Sequence, residues 1–498
     1  MKKGLNLLVV LLVFLVFSCS SSHSPNDSDM IPDSDTDTHD SEIQDDDFDS
    51  QGSEFVEDSD KTPDFDSDLE EPVPNDDEEE DEEDDEDEEI DDTDRINGYK
   101  RCYNETPDEP YEGLFADPKL ESQIKQILGY DEDYELKEED LEKITEIGFS
   151  TKDLRGVEKL VNLEYAKFSG ENVYNFTPLA DLKNLKKVRI YSEKMTCLDG
   201  SFSFLTSLET LEIEETKLKD VSPIEQLINL KSLELSYNQI EFLPKNLGNL
   251  QKLEWLVFSG NKVENIKPLK LLINLKELFF YDNYVEDISP LKDLANLIRL
   301  GCDGNNIKDI SAVTNLVNLT YLSLNQNQIK AIPKEFANLK KLQTCELDYN
   351  NISKLPDLEG LDSLVTMRLS SNDLNDADLI KLDGLGSVKF LYVALNKFTK
   401  VSIMKNLKSL KELYLNYNSI TDLSGFADNE SFPALKKLDV GSNKIENVEA
   451  FRNRKGLSSL WIDKNCIKDF SPLEELKERG TYVGGMNEQL ESCDDTGE

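Results

Sequence analysis

From Leu163 onward the apolar positions keep one rhythm. In Leu319-Thr-Tyr-Leu322-Ser-Leu324-Asn-Gln-Asn327-Gln-Ile329, Leu, Leu, Leu, Asn and Ile stand at offsets 0, 3, 5, 8 and 10. One period earlier the same offsets hold Leu297, Leu300, Cys302, Asn305 and Ile307; before that, Leu275, Leu278, Phe280, Asn283 and Val285. Fourteen units of about 22 residues open at Leu163, Leu185, Leu208, Leu230, Leu253, Leu275, Leu297, Leu319, Leu342, Leu364, Val388, Leu410, Leu435 and Leu457. An amphipathic helix would not put Asn at one fixed offset in eleven of them. The Leu-x-Leu centre of each unit alternates as a strand does, with apolar side chains on one face. The Asn falls where the chain leaves the strand. There its amide can donate to and accept from turn backbone in its own repeat and the next. Several units then carry Pro, in Val221-Ser-Pro223, Ile266-Lys-Pro268, Ile288-Ser-Pro290 and Phe470-Ser-Pro472, which presets a turn or the first position of a short helix.

A fixed period with this pattern is the leucine-rich repeat signature. One unit cannot bury its apolar side alone, so the units stack into a curved α/β solenoid with a parallel sheet on the concave side. With strands about 4.8 Å apart, fourteen give an inner arc on the order of 60–70 Å. The chain divides into a signal segment (1–18), an acidic linker (19–95), an N-terminal cap (96–160), the repeats (161–470) and a C-terminal cap and tail (471–498).

The first segment has a basic start, Met1-Lys2-Lys3, and an apolar run from Leu5 to Phe17, too short for an ordinary membrane span. It ends at Val16-Phe17-Ser18-Cys19, followed by three Ser. This resembles a bacterial lipoprotein signal, which implies cleavage before Cys19 and lipidation of that residue. The alternative is an ordinary signal peptide with an incidental Cys. Residues 27 to 94 hold 37 Asp or Glu against one Lys, Lys61, and account for most of the net charge of −49. Such a segment buries too little apolar surface to offset its ordering entropy, so an extended, disordered stalk is expected. Its Asp-x-Asp pairs lack the turn Gly and closing acid of a calcium loop, so only weak, diffuse divalent-cation association is expected. The remaining chain is mildly acidic and gives nucleic acid no basic footprint.

In the cap, Asp117 is placed to cap a helix opening at Pro118 and closing at Gly129, and Leu136 to Leu141 suggests a second short helix. Phe115-Ala-Asp117-Pro118-Lys-Leu120, the following Leu128-Gly129, the acidic residue with Leu at Asp140-Leu141, and the phrase Asp287-Ile288-Ser-Pro290-Leu291 make the chain similar to the internalin-type bacterial leucine-rich repeat proteins. The resemblance runs from about Leu114 to Leu476. It implies a helical cap, a 22-residue repeat, and adhesion or host-receptor recognition. The chain departs from that family in lacking a C-terminal sorting sequence. Glu171, Glu193 and Thr216 replace Asn in the first three units. A kink in the arc is expected at the irregular stretch Lys194 to Ser201, and outer bulges at the longer units near Asp373–Gly386 and Ser424–Pro433.

Cys302 and Cys345 occupy Leu slots and read as buried apolar fillers, two repeats apart and too far to bridge. Cys466 and Cys493 are candidates for a bridge pinning the C-terminal cap. Cys102 and Cys197 are a second candidate pair. The only His residues, His23 and His39, precede the cap, so His-dependent nucleophilic catalysis and His-based zinc sites are excluded from the repeats. No phosphate-binding Gly loop and no Cys-x-x-Cys appears. An open concave face is a poor place to raise a carboxylate pKa, so the chain reads as a non-enzyme that needs no cofactor.

The residues expected to face outward from the inner sheet carry the functional signal. They include Trp255, Phe279, Tyr281, Tyr321, Tyr349, Phe390, Tyr392, Tyr414, Tyr417 and Trp461. Acidic neighbours are Glu212, Glu214, Glu234, Glu277, Asp303, Glu346 and Asp348, with Arg299 and Arg368 as cations. Tyr392 and Tyr414 share one offset with Phe279 and Trp461; Trp255, Tyr321 and Phe390 share another. Aromatic side chains so placed carry much of the energy of protein interfaces. The sequence therefore reads as a protein-binding, lipid-anchored repeat protein of a bacterial outer membrane, facing the cell surface. The alternatives are an envelope scaffold and a glycan-binding module.

Overall fold

The computed structural model describes residues 95–493 apart from 97–98, 101, 103–109, 152, 170–172, 174, 193–194, 403 and 405. The signal segment, Cys19 and the acidic linker through Asp94, with Glu171 and Glu193, lie outside the described residues.

Sixteen strands form one parallel sheet in strict sequence order, from β3 (Glu146–Phe149) to β18 (Tyr482–Gly484). The fourteen from β4 (Tyr165–Ser169) to β17 (Ser459–Trp461) are the fourteen expected units. The other two come from segments read as caps. Phe149 in β3 stacks on Phe168 at 5.0 Å, and Val483 in β18 lies in register with Leu460. Each end strand extends the apolar column by one layer. Along the column Leu256, Leu278, Leu300 and Leu322 are register partners, followed by Cys345 and Met367, all 0 % exposed. Burying one such side chain contributes about 1.5–3 kcal/mol. Cys302 and Cys345 are buried free thiols on strands two apart, as their Leu slots require.

The Asn column forms a continuous ladder. Asn305 Nδ2 donates to the carbonyls of Phe280 (3.0 Å), Cys302 (3.2 Å) and Asp303 (3.2 Å), while its Oδ1 accepts from Val285 N at 3.0 Å. Each Asn thus binds its own repeat and the preceding one, the reverse of the direction expected. At the far end Gln489 takes over: Oε1 accepts from Ile467 N at 3.3 Å, and Nε2 donates to Ile462 O at 2.9 Å. A second ladder runs along the edge just before the strands. Asn184, Asn229, Asn274, Asn296 and Asn318 each donate to a carbonyl one repeat back at 2.8–3.0 Å.

The outer side is built of short 3-10 turns. Pro223, Pro268 and Pro290 sit at their second positions, one residue later than the expected first, and Pro472 likewise follows Ser471 in α4 (Ser471–Glu478). An Asp or Asn two residues before most of these turns accepts a backbone N–H, as Asp287 does from Ser289 at 2.8 Å. The longer unit at Asp373–Gly386 uses its extra residues for α3 (Asp376–Leu382), capped by Asn375. The bulge at Ser424–Pro433 closes over Arg454, which is 1 % exposed and donates to the carbonyls of Asp428 and Phe432. At the irregular stretch near Ser201 the sheet holds its register: β5 (Lys187–Tyr191) and β6 (Thr210–Glu214) pair over five residues. The extra length is taken up on the outer side, where Asp199 caps a 3-10 turn.

In the N-terminal cap, α1 (Pro118–Leu128) has Asp117 accepting from Lys119 N and closes at left-handed Gly129; α2 spans Glu138–Leu141. Gly156 has φ +101, and a Cβ there would meet Leu114 O and Phe115, so only Gly lets the cap cross the first repeat. Both candidate disulfides are formed, Cys102–Cys197 and Cys466–Cys493. The first holds a hairpin of β1 (Arg95–Ile96) and β2 (Tyr99–Lys100) against the outer turns. Tyr99 Oη donates to Glu225 at 2.7 Å, and Cys102 N to Asp199 at 2.9 Å.

Candidate binding surface on the inner sheet

Strand alternation turns one set of side chains into the core and leaves the other on the inner face. The register sets which of these meet. Tyr392 and Tyr414 are direct partners and stack at 4.7 Å with planes 7° apart. The Arg368 guanidinium lies 4.5 Å over the Tyr392 ring, and its Nε donates to Asp348 at 2.7 Å. Tyr414 Oη donates to Glu412 at 2.9 Å, and Glu412 pairs with Lys437 at 2.9 Å. One connected run of alternating charge and ring thus crosses five strands, from Asp348 to Lys437.

A second group lies toward the N-terminal side. Arg299 sits between Phe279 (5.3 Å) and Tyr321 (5.2 Å), with Glu277 at 3.5 Å. Tyr281 leans across Gly301, where any Cβ would collide with the phenol. Burial, with Tyr321 and Asp303 nearby, holds the Tyr281 phenol well above its ordinary pKa, so it stays protonated. Asp303 accepts from Ser323 Oγ (2.6 Å), Asn325 N (2.9 Å) and Asn325 Nδ2 (3.1 Å). Ser323 and Asn325 also reach Glu346, each at 3.2 Å. Trp255, Phe390 and Trp461 are half-buried on the same face, and Trp461 meets Tyr482 edge-on at 6.1 Å.

Two of the ten aromatics read as inner-face residues stand elsewhere. Tyr349 and Tyr417 occupy the left-handed position just before the ladder Asn, with φ 57° and 54°, and are 42 % and 49 % exposed. The turn carries them to the rim. The same column holds Asp282, Gln326, Ser371 and Gly304, which marks it as a turn position rather than a strand position. Glu412, Lys437, Asp439 and Asn325 join the face and were not singled out from sequence. Their offsets match those of the named residues, so repeat alignment alone could have found them. Among the described residues, no group of three or more His, Cys, Asp or Glu is arranged to hold a metal ion.

Contrary to the expectation that so open a face would not raise a carboxylate pKa, burial pushes three inner carboxyls, Glu234, Asp303 and Asp439, up to about 6. Their unfolded values lie near 4. Between those limits the folded chain binds more protons than the unfolded one, so these groups make stability rise as pH falls from 7 toward 5. Outer carboxyls such as Asp422 and Asp469, held low chiefly by backbone N–H donors, act oppositely, and their contribution is lost below about pH 4. Thermal unfolding followed from pH 3 to 8 is expected to peak near pH 5. In Asp303→Asn the slope between pH 5 and 7 is expected to shrink; an unchanged slope would remove Asp303 from this account.

Residues 294–478 match the family model described as a leucine-rich repeat region, and residues 229–250 match a single leucine-rich repeat. An internalin (inlF) of Listeria monocytogenes superposes with TM-score 0.53 at 24% identity, over 74% of this chain and 95% of its own. A leucine-rich repeat protein of Leptospira interrogans gives 0.58 at 23% identity, over 70% and 97%. A plant peptide hormone receptor, RGFR1, solved in complex with RGF2, gives 0.54 at 21% identity, over 70% and 65%. No curated protein sequence matches the chain. The chain has the leucine-rich repeat fold, and internalins are among its structural neighbours.

Proposed function

We propose that this is a non-enzymatic, surface-exposed lipoprotein that binds a protein partner through its concave face, in adhesion or recognition. The observation that carries the reading is the connected aromatic and charged surface on the inner sheet. Stacked, half-buried rings with locked guanidinium partners are preorganised, so little side-chain entropy is lost on binding. The peptide complex of the plant receptor is an instance of ligand recognition by this fold, and fold by itself does not choose the partner. Two disulfides beside two sequestered thiols fit an oxidising compartment. The resemblance of the cap and repeat phrases to those of internalins favours adhesion over an envelope scaffold.

Three measurements test the parts. On paired protein and glycan arrays, the full chain is expected to give saturable protein hits; glycan hits alone would favour the carbohydrate reading. Cys19→Ser is expected to leave the membrane fraction, and retention there would sink the lipid anchor. Protease added to intact cells is expected to release the repeats while a periplasmic control survives. Release only after the outer membrane is opened would favour the scaffold.

A further inference from the structure

Most cations of the inner face are already paired with carboxylates, and several of its carboxylates have no cation. Arg299 pairs with Glu277, Arg368 with Asp348, Lys437 with Glu412, and Arg189 with Glu212 and Glu214. Among the described residues, Glu234, Asp303 and Asp439 hold no basic side chain. Each has a half-buried aromatic side chain on a neighbouring strand. Trp255 lies on the strand next to Glu234, Tyr281 and Tyr321 flank Asp303, and Trp461 is the register partner of Asp439. A carboxylate beside a ring is what a Lys or Arg side chain needs, since the ion pair and the ring face both attract the cation. The same arrangement is already filled from within at Arg368, between Asp348 and Tyr392.

We infer that the occupant of the concave sheet face is a cationic protein segment whose Lys or Arg side chains enter three stations, at Glu234–Trp255, Asp303–Tyr281–Tyr321 and Asp439–Trp461. This rests on the concave-face reading and gives it a partner chemistry. The stations lie three and six strands apart, about 14 and 29 Å at ordinary strand spacing. An extended segment at roughly 3.3 Å per residue spans the first gap with about four residues and the second with about nine. Partial burial raises the value of each station, because a half-desolvated carboxylate gains more from an arriving cation than an exposed one does.

The acidic segment of the same chain will also attract a basic probe, so the readout must see only the sheet. The chain's two Trp residues provide it, since Trp255 and Trp461 are both on the inner face. A sixteen-residue alternating Arg-Gly peptide, long enough at roughly 3.3 Å per residue to reach all three stations, is titrated into the full chain while tryptophan emission is followed, with a Glu-Gly peptide as control. The expected result is a saturable emission change with the basic peptide alone, weakened by high salt. In Glu234→Gln/Asp303→Asn/Asp439→Asn the midpoint is expected to move by roughly tenfold to a hundredfold. Glu234→Gln alone, at a position without a core role, serves if the triple variant fails to fold, and is expected to weaken the binding by a few-fold. Emission that ignores the basic peptide, or responds equally in the neutralised chains, overturns the assignment. If the peptide is silent while an array-selected protein still requires Trp255 and Tyr392, the cationic partner falls and the concave-face reading stands. If that protein ignores those residues, the concave-face reading falls.

Discussion

Replacing Asn305 by Ala is expected to destabilise the repeats by about 3 kcal/mol, while Asn306→Ala changes stability by less than about 0.5 kcal/mol. The two residues are neighbours of the same type, so composition and local propensity cancel in the comparison. Asn305 is 6 % exposed and makes four hydrogen bonds, two within its own repeat and two to the one before. Alanine leaves the Val285 N–H without an acceptor in a site too buried for easy hydration and cuts the link to Phe280 O, while the three carbonyls keep only their second donors, Asn283, Asn327 and Asp282. Asn306 donates to Tyr284 O at 3.4 Å and accepts from Gln328, near solvent, where water replaces both. Urea unfolding followed by circular dichroism checks this. Because each repeat contacts only its neighbours, the weakened interface is also expected to broaden the transition. Equal midpoints for the two variants would mean that the ladder accompanies the fold without holding it.

The second large effect lies at the C-terminal end. Converting Cys466 and Cys493 to Ala is expected to cost about 3–4 kcal/mol, from the entropy of a closed loop with a sequence separation of 27. The bridge also pins the segment carrying Gln489, which supplies the last rung of the ladder and covers the turn of the final full repeat. Loss of the bridge should therefore fray β18 before the rest of the sheet. Limited proteolysis under non-reducing conditions is expected to cut after residue 484 in the variant and spare the parent. An unchanged melting temperature and cleavage pattern would assign the end of the solenoid to β18 packing alone.

Much of this architecture is legible because a repeat states its geometry many times. The offset of Leu256, Leu278 and Leu300 foretold a buried column, and the Asn offset foretold a hydrogen-bonded turn. Asp117, Pro118 and Gly129 marked α1 by their chemistry alone. What stayed hidden breaks the period or depends on register. Strand β18 is flanked by Gly480 and Gly485 at offsets where the fourteen units place an apolar side chain, and Gln489 stands one residue beyond the ladder offset. Arg454 is a charged residue whose burial is set by two carbonyls of the preceding bulge. At the inner face, the aromatic columns could be read from spacing, but not which carboxylates find a cation. Asp348 meets Arg368 and Asp303 meets only Ser323 and Asn325, because strand register and side-chain reach decide the pairs. Tyr349 and Tyr417 look like strand residues until the left-handed turn moves them to the rim.

The claim at the centre is that the inner face, and no other, holds the partner. It is tested most directly by measuring the affinity of an array-selected protein for the full chain carrying Trp255→Ala, Tyr281→Ala, Tyr392→Ala and Tyr414→Ala. The control is a chain altered at the outer residues Lys267, Glu286 and Lys308. The account predicts at least a hundredfold loss in the first and no change in the second, since removal of central aromatic anchors commonly costs 2 kcal/mol or more each. Full affinity in the four-alanine chain, with its fold intact, would contradict it.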